Sequence, residues 1–288
     1  MNNQPVTMDL HIHCPDNRVQ TLIALAQKRG LNTLGLVDYA SAKQFDRLAR
    51  NTDQKGHSIF SDDWSIESPS PELLKVSSES GDIYLPRSQE VRAKFTHADG
   101  RTTLGDILAI GIEKSITPER DLFSTAEEIF GQGGIVGFAH PCAPMFYGFG
   151  EEIFKRFLDK FDQRSFPVFL EKNAQVPERW FNYNEKAAEL SRKTGASLVG
   201  NSDSHGSYLM EHRRVGRSYY SVAEEIVPNP QLVPNLRRAL LSSPPAHFEI
   251  MGTYNSLFRN AAWNIHSTLK NPIGKLTGTS KGLIQGKK

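Results

Sequence analysis

Residues 8–16 read MDLHIHCPD, which places Asp9, His11 and His13 two positions apart. Side chains alternate along a β-strand, so these three would lie on one face while the intervening apolar residues face a core. Buried ionisable groups are costly unless they are paired or bind a cation, and histidine and carboxylate are common ligands of divalent ions. The stretch therefore predicts one wall of a metal site. A surface strand with two incidental histidines is the alternative.

Further ionisable residues follow at the ends of apolar runs, and they are Asp38, Glu90, Asp106, His140, Glu171, Asp203 and His205. The apolar runs alternate with helical patterns, which is typical of parallel βα units. In α/β barrels the carboxyl ends of the strands converge on one rim. The pattern therefore predicts an α/β barrel whose rim collects histidines and carboxylates for two or three divalent ions.

The segments that should build this barrel are mostly short. We expect helices at 19–28, 124–132, 151–162, 184–193 and 233–241, and strands at 8–13, 33–40, 135–141, 167–173 and 197–205. Residues 82–95 should also contain a strand on or beside which Glu90 lies, and residues 102–112 a further strand that contains Asp106. Residues 51–82 are rich in Ser, Asp, Gln and Pro and interrupt the alternation. A loop of this length inside a compact domain is usually functional or disordered, so we predict an insertion or a lid.

The motifs DLHIHCPD, LVDYA, Glu90 after Leu85-Pro86, GDILAIGI, GFAHP and GNSDSHG occur in this order. Together they resemble the PHP (polymerase and histidinol phosphatase) superfamily, and RRVGRSYYSV and LRRALLSSPPAHFE resemble the associated C-terminal segment of its small stand-alone members. The resemblance implies a distorted (β/α)7 TIM-like barrel over residues 1–250. It also implies up to three ions, commonly zinc, manganese or iron, and hydrolysis of phosphate esters.

The resemblance also implies a set of ligands. The first ion would be held by His11, His13, Glu90 and Asp203. Glu90 would bridge to a second ion held by His140 and Asp106. The third ion would be held by Asp16, His205 and the residue at Tyr39.

Two positions depart from the family pattern. Asp38-Tyr39 stands where the family usually has Asp-His, and Gly105-Asp106 stands where it usually has Gly-His. A carboxylate at Asp106 can still ligate and shifts preference toward harder ions such as Mn²⁺ or Mg²⁺. Tyr39 is a poorer ligand because its phenol must lose a proton with a pKa near 10. We therefore expect two ions, and a third only if Tyr39 can ligate.

Such a centre would hydrolyse a phosphate ester of a small metabolite or nucleotide by means of a metal-activated hydroxide. His205 or Asp16 could protonate the leaving group. Arg213, Arg214 and Arg217 follow the last motif and could clamp the phosphate, although a solvated basic loop is an equal alternative.

Several residues beside the motifs have supporting roles in this interpretation. Glu171 and Asn173 share one strand face, and we expect them to orient the metal ligands. Cys14 and Cys142 are expected to be packing residues, and two cysteines do not make a disulfide framework. The chain also lacks an apolar run of membrane-spanning length and a signal-peptide pattern, so we expect a cytoplasmic protein.

The C-terminal region differs in charge from the rest of the chain. The net charge is +2, and six Lys/Arg with no Asp or Glu fall from Ile250 onward, which leaves +2 − 6 = −4 for the body. Residues 251–288 predict a basic amphipathic helix with a flexible end. We favour packing of this helix on the body over contact with nucleic acid or an anionic membrane.

Two other functions stay open at this point. A nuclease acting on nucleic-acid phosphodiesters would use the same metal chemistry and the basic tail. A degenerate protein that binds metal without catalysis would explain the changes at Tyr39 and Asp106.

Overall fold

The computed structural model describes residues 5–39, 41–175, 182–205, 215–217, 220–223, 226–242 and 248–252. Arg213, Arg214 and nearly all of the predicted basic tail lie outside these ranges. Two mixed β-sheets and six α-helices make up the described part of the chain. None of the described helices is long and apolar enough to cross a membrane.

The larger sheet has eight strands. They are β1 (Val6–His13), β2 (Thr33–Leu36), β3 (Ser65–Ser70), β4 (Leu73–Ser78), β5 (Gly81–Pro86), β11 (Ser204–His205), β12 (Tyr220–Ala223) and β13 (Glu249–Met251). Their order is β13-β12-β1-β2-β5-β4-β3, with β11 pairing with β1 off this path. β1 runs parallel to β2 and β11, whereas β12, β13, β3 and β4 join by antiparallel pairing.

The smaller sheet has five strands in the order β10-β9-β8-β7-β6. They are β6 (Ser88–Thr96), β7 (Thr102–Ile110), β8 (Ile135–Phe138), β9 (Val168–Asn173) and β10 (Ser197–Asn201). β8, β9 and β10 are parallel, while β7 is antiparallel to both of its neighbours.

The described helices are α1 (Val19–Lys28), α2 (Lys43–Ala49), α3 (Leu122–Gly131), α4 (Gly150–Lys160), α5 (Tyr183–Thr194) and α6 (Leu232–Ser242). Three of the helices, α1, α4 and α5, connect parallel strands as the alternation in the sequence predicts, whereas α3 and α6 lie between antiparallel strands. α3 begins earlier than its predicted start at Ser124, because the Asp121 side chain accepts hydrogen bonds from the Phe123 and Ser124 N–H groups. α1 ends before Gly30, whose positive φ suits a helix C-terminus.

The predicted (β/α)7 TIM-like barrel is wrong. The described strands form two separate sheets, and neither is closed into a barrel. The cause lies in residues 65–110, where the five strands β3 to β7 follow one another without helices between them. β3 and β5 pair antiparallel with β4, β6 pairs antiparallel with β7, and only β5 makes a parallel contact, with β2. Antiparallel strands need only tight turns, so this region builds a meander and a hairpin where a barrel would need βα units.

The predicted insertion, residues 51–82, contains β3, β4 and the start of β5. β4 pairs along its whole length with β5, and the three strands extend one side of the eight-stranded sheet. Whether the segment acts as a lid stays a prediction. The segment includes ordered β-structure whose buried residues Leu73, Leu74 and Val76 belong to the core.

The two sheets meet along β1 and β10. Met8 and Leu10 pack with Leu108, Phe169 and Val199 of the other sheet in one buried apolar cluster. Two hydrogen bonds also cross the junction. Leu10 N donates to the Asn201 side chain at 2.8 Å, and Ser202 N donates to Asp9 Oδ1 at 3.0 Å. The junction therefore places the carboxyl ends of strands from both sheets next to each other.

Candidate metal centre

The predicted ligands come from both sheets and converge at this junction. His11 and His13 lie on β1, and Glu90 lies near the start of β6. His140 directly follows Ala139 after β8, and Asp203 lies between β10 and β11. The described residues contain three groups that could hold a metal ion: His11–His13–Glu90, His13–Asp203–His205 and Glu90–Asp106–His140.

Four of these residues form the central pocket, which we define as His11, His13, Glu90 and Asp203. His11 Nε2 lies 3.2 Å from His13 Nε2, 3.5 Å from Glu90 Oε1 and 3.4 Å from Asp203 Oδ1. His13 Nε2 lies 3.2 Å from Glu90 Oε2 and 3.7 Å from Asp203 Oδ1. The ring nitrogens and carboxylate oxygens therefore surround one small volume.

These separations fit a bound ion. Ligand atoms held about 2.0–2.2 Å from zinc at tetrahedral corners lie about 3.3–3.6 Å from one another. Glu90 Oε2 and Asp203 Oδ1 are buried and accept no hydrogen bond from any described residue. Native proteins rarely leave such atoms unsatisfied, and a cation is one way to satisfy them. The central pocket therefore fits a divalent metal ion.

Glu171 fixes the orientation of His11. Its carboxylate only accepts, so the His11 Nδ1–H donates to Glu171 Oε1 at 2.8 Å and leaves Nε2 facing the pocket. Asn201 Nδ2, Asn173 Nδ2 and the backbone N–H of His140 also donate to this carboxylate, at 2.8–2.9 Å. A metal-binding histidine is usually held by such a partner on its other nitrogen.

The charges of the pocket call for a cation. Burial alone would lower the pKa of His11, but the carboxylates of Asp203, Glu171 and Glu90 outweigh it and raise this pKa well above its usual value. Burial alone would raise the pKa of Glu90, yet the charge of His11 and the nearby imidazoles of His13 and His140 hold it well below its usual value. A divalent ion can supply the positive charge that protons on the histidines otherwise provide.

Two candidate ligands sit on strained backbone. His140 has φ = 33° and Asp203 has φ = 47°, which is the left-handed region that residues other than glycine seldom adopt. Such conformations cost about 1–3 kcal/mol each and cluster at functional sites. At both positions the turn directly follows a parallel strand and aims the side chain at the junction.

The second group contains Asp106, whose carboxylate is already bound. Arg92 Nε donates to Asp106 Oδ1 at 2.7 Å, and Arg92 Nη2 donates to Oδ2 at 2.9 Å. The two residues are directly opposite each other on β6 and β7, and the Arg92 guanidinium lies 3.5 Å from the centre of the Tyr147 ring. The third member, His140, has its Nε2 3.4 Å from Glu90 Oε1.

The third group contains His205, both of whose ring nitrogens contact protein oxygens. Nδ1 lies 3.0 Å from the Asp203 carbonyl oxygen, and Nε2 lies 2.9 Å from the Tyr39 hydroxyl. The His13 ring stacks against both Tyr39 and His205, at 4.5 and 4.3 Å between centroids.

The protonation states of Tyr39 and His205 match this hydrogen bond. Burial of the hydroxyl, together with the charges of Glu90 and Asp203, raises the pKa of Tyr39 well above its usual value, although 49% of the residue is exposed. Burial and the charge of His13 lower the pKa of His205 to about 4. The phenol therefore keeps its proton and donates it to Nε2 of a neutral imidazole, while Nδ1–H donates to the carbonyl.

Asp16, expected at the third ion, belongs to none of the three groups among the described residues. Arg47 of α2 binds its carboxylate through two contacts, Nε to Oδ2 at 2.5 Å and Nη2 to Oδ1 at 3.1 Å. Gln44 Nε2 donates to Oδ1 as well, at 3.0 Å. The role of Asp16 as a ligand or proton donor stays a prediction.

Two of the three arginines predicted to bind the phosphate, Arg213 and Arg214, lie outside the described residues, and Arg217 is exposed in the short turn 215–217. Cys14 is buried and Cys142 is partly buried, and both are free. Burial raises the pKa of Cys142 to about 11, which suits a packing residue better than a thiolate ligand.

Sequence reasoning missed three residues of the site: Arg92, Arg47 and Asn201. Arg92 is two positions after Glu90, so strand alternation already places both on one face. The sequence carried no comparable signal for Arg47, because its partner Asp16 is reached only through the packing of α2. Asn201 stands in the GNSDSHG motif, but its contact with β1 depends on how the two sheets meet.

Comparison with known proteins adds a likeness of fold. No protein-family model and no curated protein matches the chain. Among solved structures, the crystal structure of PsfC from Pseudomonas syringae PB-5123 is similar, with a TM-score of 0.56 and 11% sequence identity. The match covers 91% of this chain and 98% of PsfC. At this identity the likeness concerns the fold alone.

Proposed function

We propose that the protein is a phosphoesterase that depends on a divalent metal ion and belongs to the PHP superfamily. The central pocket carries this proposal, because its nitrogen and oxygen atoms have the separations of a metal coordination shell. The motif order of the sequence, HxH early and SDxH late, supports the same class. Its substrate would be the phosphate ester of a small metabolite or nucleotide.

A bound divalent ion would polarise the phosphoryl oxygens and activate water for attack on phosphorus. His11 and His13 would bind it through Nε2, and Glu90 and Asp203 through their carboxylates. The further ions that the sequence predicts would use Glu90 with Asp106 and His140, and the corner near Tyr39. Imidazole and carboxylate ligands suit zinc, manganese or iron.

Glu171 would keep His11 in the tautomer that offers Nε2 to the pocket, since its carboxylate accepts the Nδ1 proton. Tyr39 and His205 would donate a proton to the leaving group, because the Tyr39 hydroxyl is protonated and lies 2.9 Å from His205 Nε2. Of the arginines predicted to hold the phosphate, Arg217 is exposed to solvent, and its part in substrate binding stays a prediction.

The decisive experiment measures phosphate release from an aryl phosphate after the chelated protein is reloaded with zinc, manganese or iron. We expect activity that needs the added ion and is lost in His11→Ala and Asp203→Ala, since each removes one wall of the pocket. His57→Ala is the matched control, because His57 is 73% exposed and pairs only with Asp53 on the surface. Full activity of the chelated protein would refute the proposal.

A metal-binding protein without catalysis is the second candidate, and one observation favours it. The carboxylates of Asp106 and Asp16, both expected at metals, are held by arginines instead. The double variant Tyr39→His, Asp106→His restores the family pattern. An inert native protein with an active double variant would favour the non-catalytic function.

The remaining expectations, about partners and location, rest on fewer observations. The nuclease alternative depends on the basic tail, which lies outside the described residues. The two free cysteines suit a reducing compartment, so we propose the cytoplasm.

A further inference from the structure

Two carboxylates expected at the second and third ions share one feature, which is a forked contact with an arginine. We call Arg92–Asp106 the Arg92 pair and Arg47–Asp16 the Arg47 pair. In both, Nε and Nη2 of the arginine contact the two oxygens of one carboxylate, at 2.5–3.1 Å. This bidentate geometry is the strongest that arginine makes with a carboxylate.

Carboxylates of the central pocket have no such partner. Glu90 and Asp203 contact histidines, and each keeps a buried oxygen that accepts no hydrogen bond within the described chain. The acidic residues of the site thus fall into two classes. Among the described residues, Glu90 and Asp203 have no cationic arginine or lysine partner and could bind a metal ion. Asp106 and Asp16 are already paired with an arginine of the chain.

We propose that Arg92 and Arg47 take the place of the second and third metal ions, so that the protein binds one divalent ion, in the central pocket. This inference rests on the proposed metal centre and fixes the number of its ions. Arginine is always protonated in proteins and cannot leave its carboxylate by losing a proton. The two positive charges are therefore permanent parts of the site.

At the second position, geometry and charge both disfavour an ion. A metal held by Glu90, Asp106 and His140 would use a carboxylate whose two oxygens already accept from Arg92. It would also lie close to the guanidinium, whose like charge repels it in a buried setting. Arg92 cannot easily swing away, because its guanidinium lies on the Tyr147 ring and Tyr147 O accepts from Asp106 N at 2.9 Å.

At the third position the ligands are engaged twice over. Asp16 is held by Arg47 and Gln44. His205 accepts at Nε2 from Tyr39 and contacts the Asp203 carbonyl through Nδ1. An ion there would need to break both sets of contacts.

The test counts ions. The full chain is stripped with a chelator, dialysed against excess zinc or manganese, freed of unbound metal, and its metal-to-protein ratio is measured by plasma mass spectrometry. We expect one ion per chain. Two or three ions in the native protein would overturn the inference while leaving the proposed function intact, and no bound ion would refute the metal centre itself.

Variants test the part of each arginine. Arg92→Gln should raise the count twofold, from one to two, because it frees Asp106 beside Glu90 and His140. Arg92→Lys keeps the charge and should stay at one. Arg47→Gln should also stay at one, since Tyr39 still occupies His205.

Arg101→Gln is the matched control, because Arg101 pairs with Asp99 through its Nε on the exposed surface. Circular dichroism checks that each variant is folded. A count that stays at one in folded Arg92→Gln would contradict the substitution of an ion by Arg92. If that variant does not fold, the count in the native protein still decides between one ion and several.

Discussion

The central pocket and the two arginine pairs solve the same problem in different ways. All of them bury or half-bury carboxylates, yet the pocket gathers its partners from both sheets, whereas each pair joins residues of neighbouring elements. The Arg92 pair is a cross-strand pair of β6 and β7, and the Arg47 pair links the turn after β1 to α2. A carboxylate paired with an arginine is neutralised by the chain itself. A carboxylate that needs a metal ion makes the site depend on the supply of that ion.

The largest expected effect lies in the pocket. Glu90→Gln removes a carboxylate that contacts His11, His13 and His140, so the affinity for zinc should fall by at least about 100-fold, beyond the range seen for residues behind the ligands. Competition with a chromophoric chelator measures it. Glu152→Gln, on an exposed α4 pair with Arg156, should leave the affinity unchanged.

The next largest effect on zinc affinity is expected at Glu171, which contacts the pocket residue His11. In Glu171→Gln a neutral amide replaces the carboxylate that accepts from His11 Nδ1, and zinc affinity should fall by about 10- to 100-fold. The same chelator competition reports it, with the exposed Glu189→Gln as control. A loss of zinc affinity equal to that in Glu90→Gln would indicate that Glu171 itself binds the ion and belongs to the pocket.

The metal-free protein should lose stability as the pH rises. The pKa of His11 and of His140 is raised by nearby carboxylates, so their stabilising protonation is complete below about 6.5 and is lost through their higher folded pKa. Burial raises the pKa of Asp9 to about 7, so its ionisation costs stability between about pH 4 and 7. The loss should be on the order of 4 kcal/mol, because the pKa of Asp9 alone is raised by about three units at about 1.4 kcal/mol per unit.

Thermal melting at pH 5.5 and pH 8, with chelator or with zinc, measures this dependence. Zinc should reverse its sign, because ligands that have lost their protons bind the ion more tightly. A chelated protein that is more stable at pH 8 than at pH 5.5 would show that the pocket does not carry excess negative charge.

The smallest effect on metal binding should come from the Arg47 pair. Asp16→Asn weakens its contact with Arg47 but touches no residue of the pocket, so zinc affinity should change by less than about threefold. Stability should fall by about 1–3 kcal/mol, since the pair is largely buried and Arg47 keeps an unpaired charge. Denaturant unfolding beside zinc titration separates the two effects, and a large loss of affinity would return Asp16 to the metal centre.

The sequence identified the pocket better than it identified the fold. His11, His13, Glu90 and Asp203 are recognisable because each stands in a short motif at the end of an apolar run, and their residue types already limit their chemistry. Helices such as α1 and α5 follow from apolar periodicity. Both kinds of signal are local, and both predictions agree with the described structure to within a few residues.

Barrel closure depends on pairing between distant strands, which periodicity does not encode. The hairpin of β6 and β7 and the meander of β3, β4 and β5 have apolar patterns that a parallel strand would share, so the sequence could not reveal their direction. The arginine pairs were missed for the same reason. Arg92 meets Asp106 only because the register of β6 on β7 makes them neighbours.

The division of the ligands between two sheets has a consequence for how the protein matures in the cell. His11 and His13 leave the ribosome early, whereas Asp203 follows only after all five strands of the smaller sheet, so the nascent chain cannot complete the pocket before that sheet has been synthesised. Once bound, the ion would act as a clasp between the sheets. Metal starvation would then leave a chain whose layers are held by the apolar cluster around Met8 and Leu10 and by hydrogen bonds such as that of Leu10 N, a form more exposed to proteolysis at their junction.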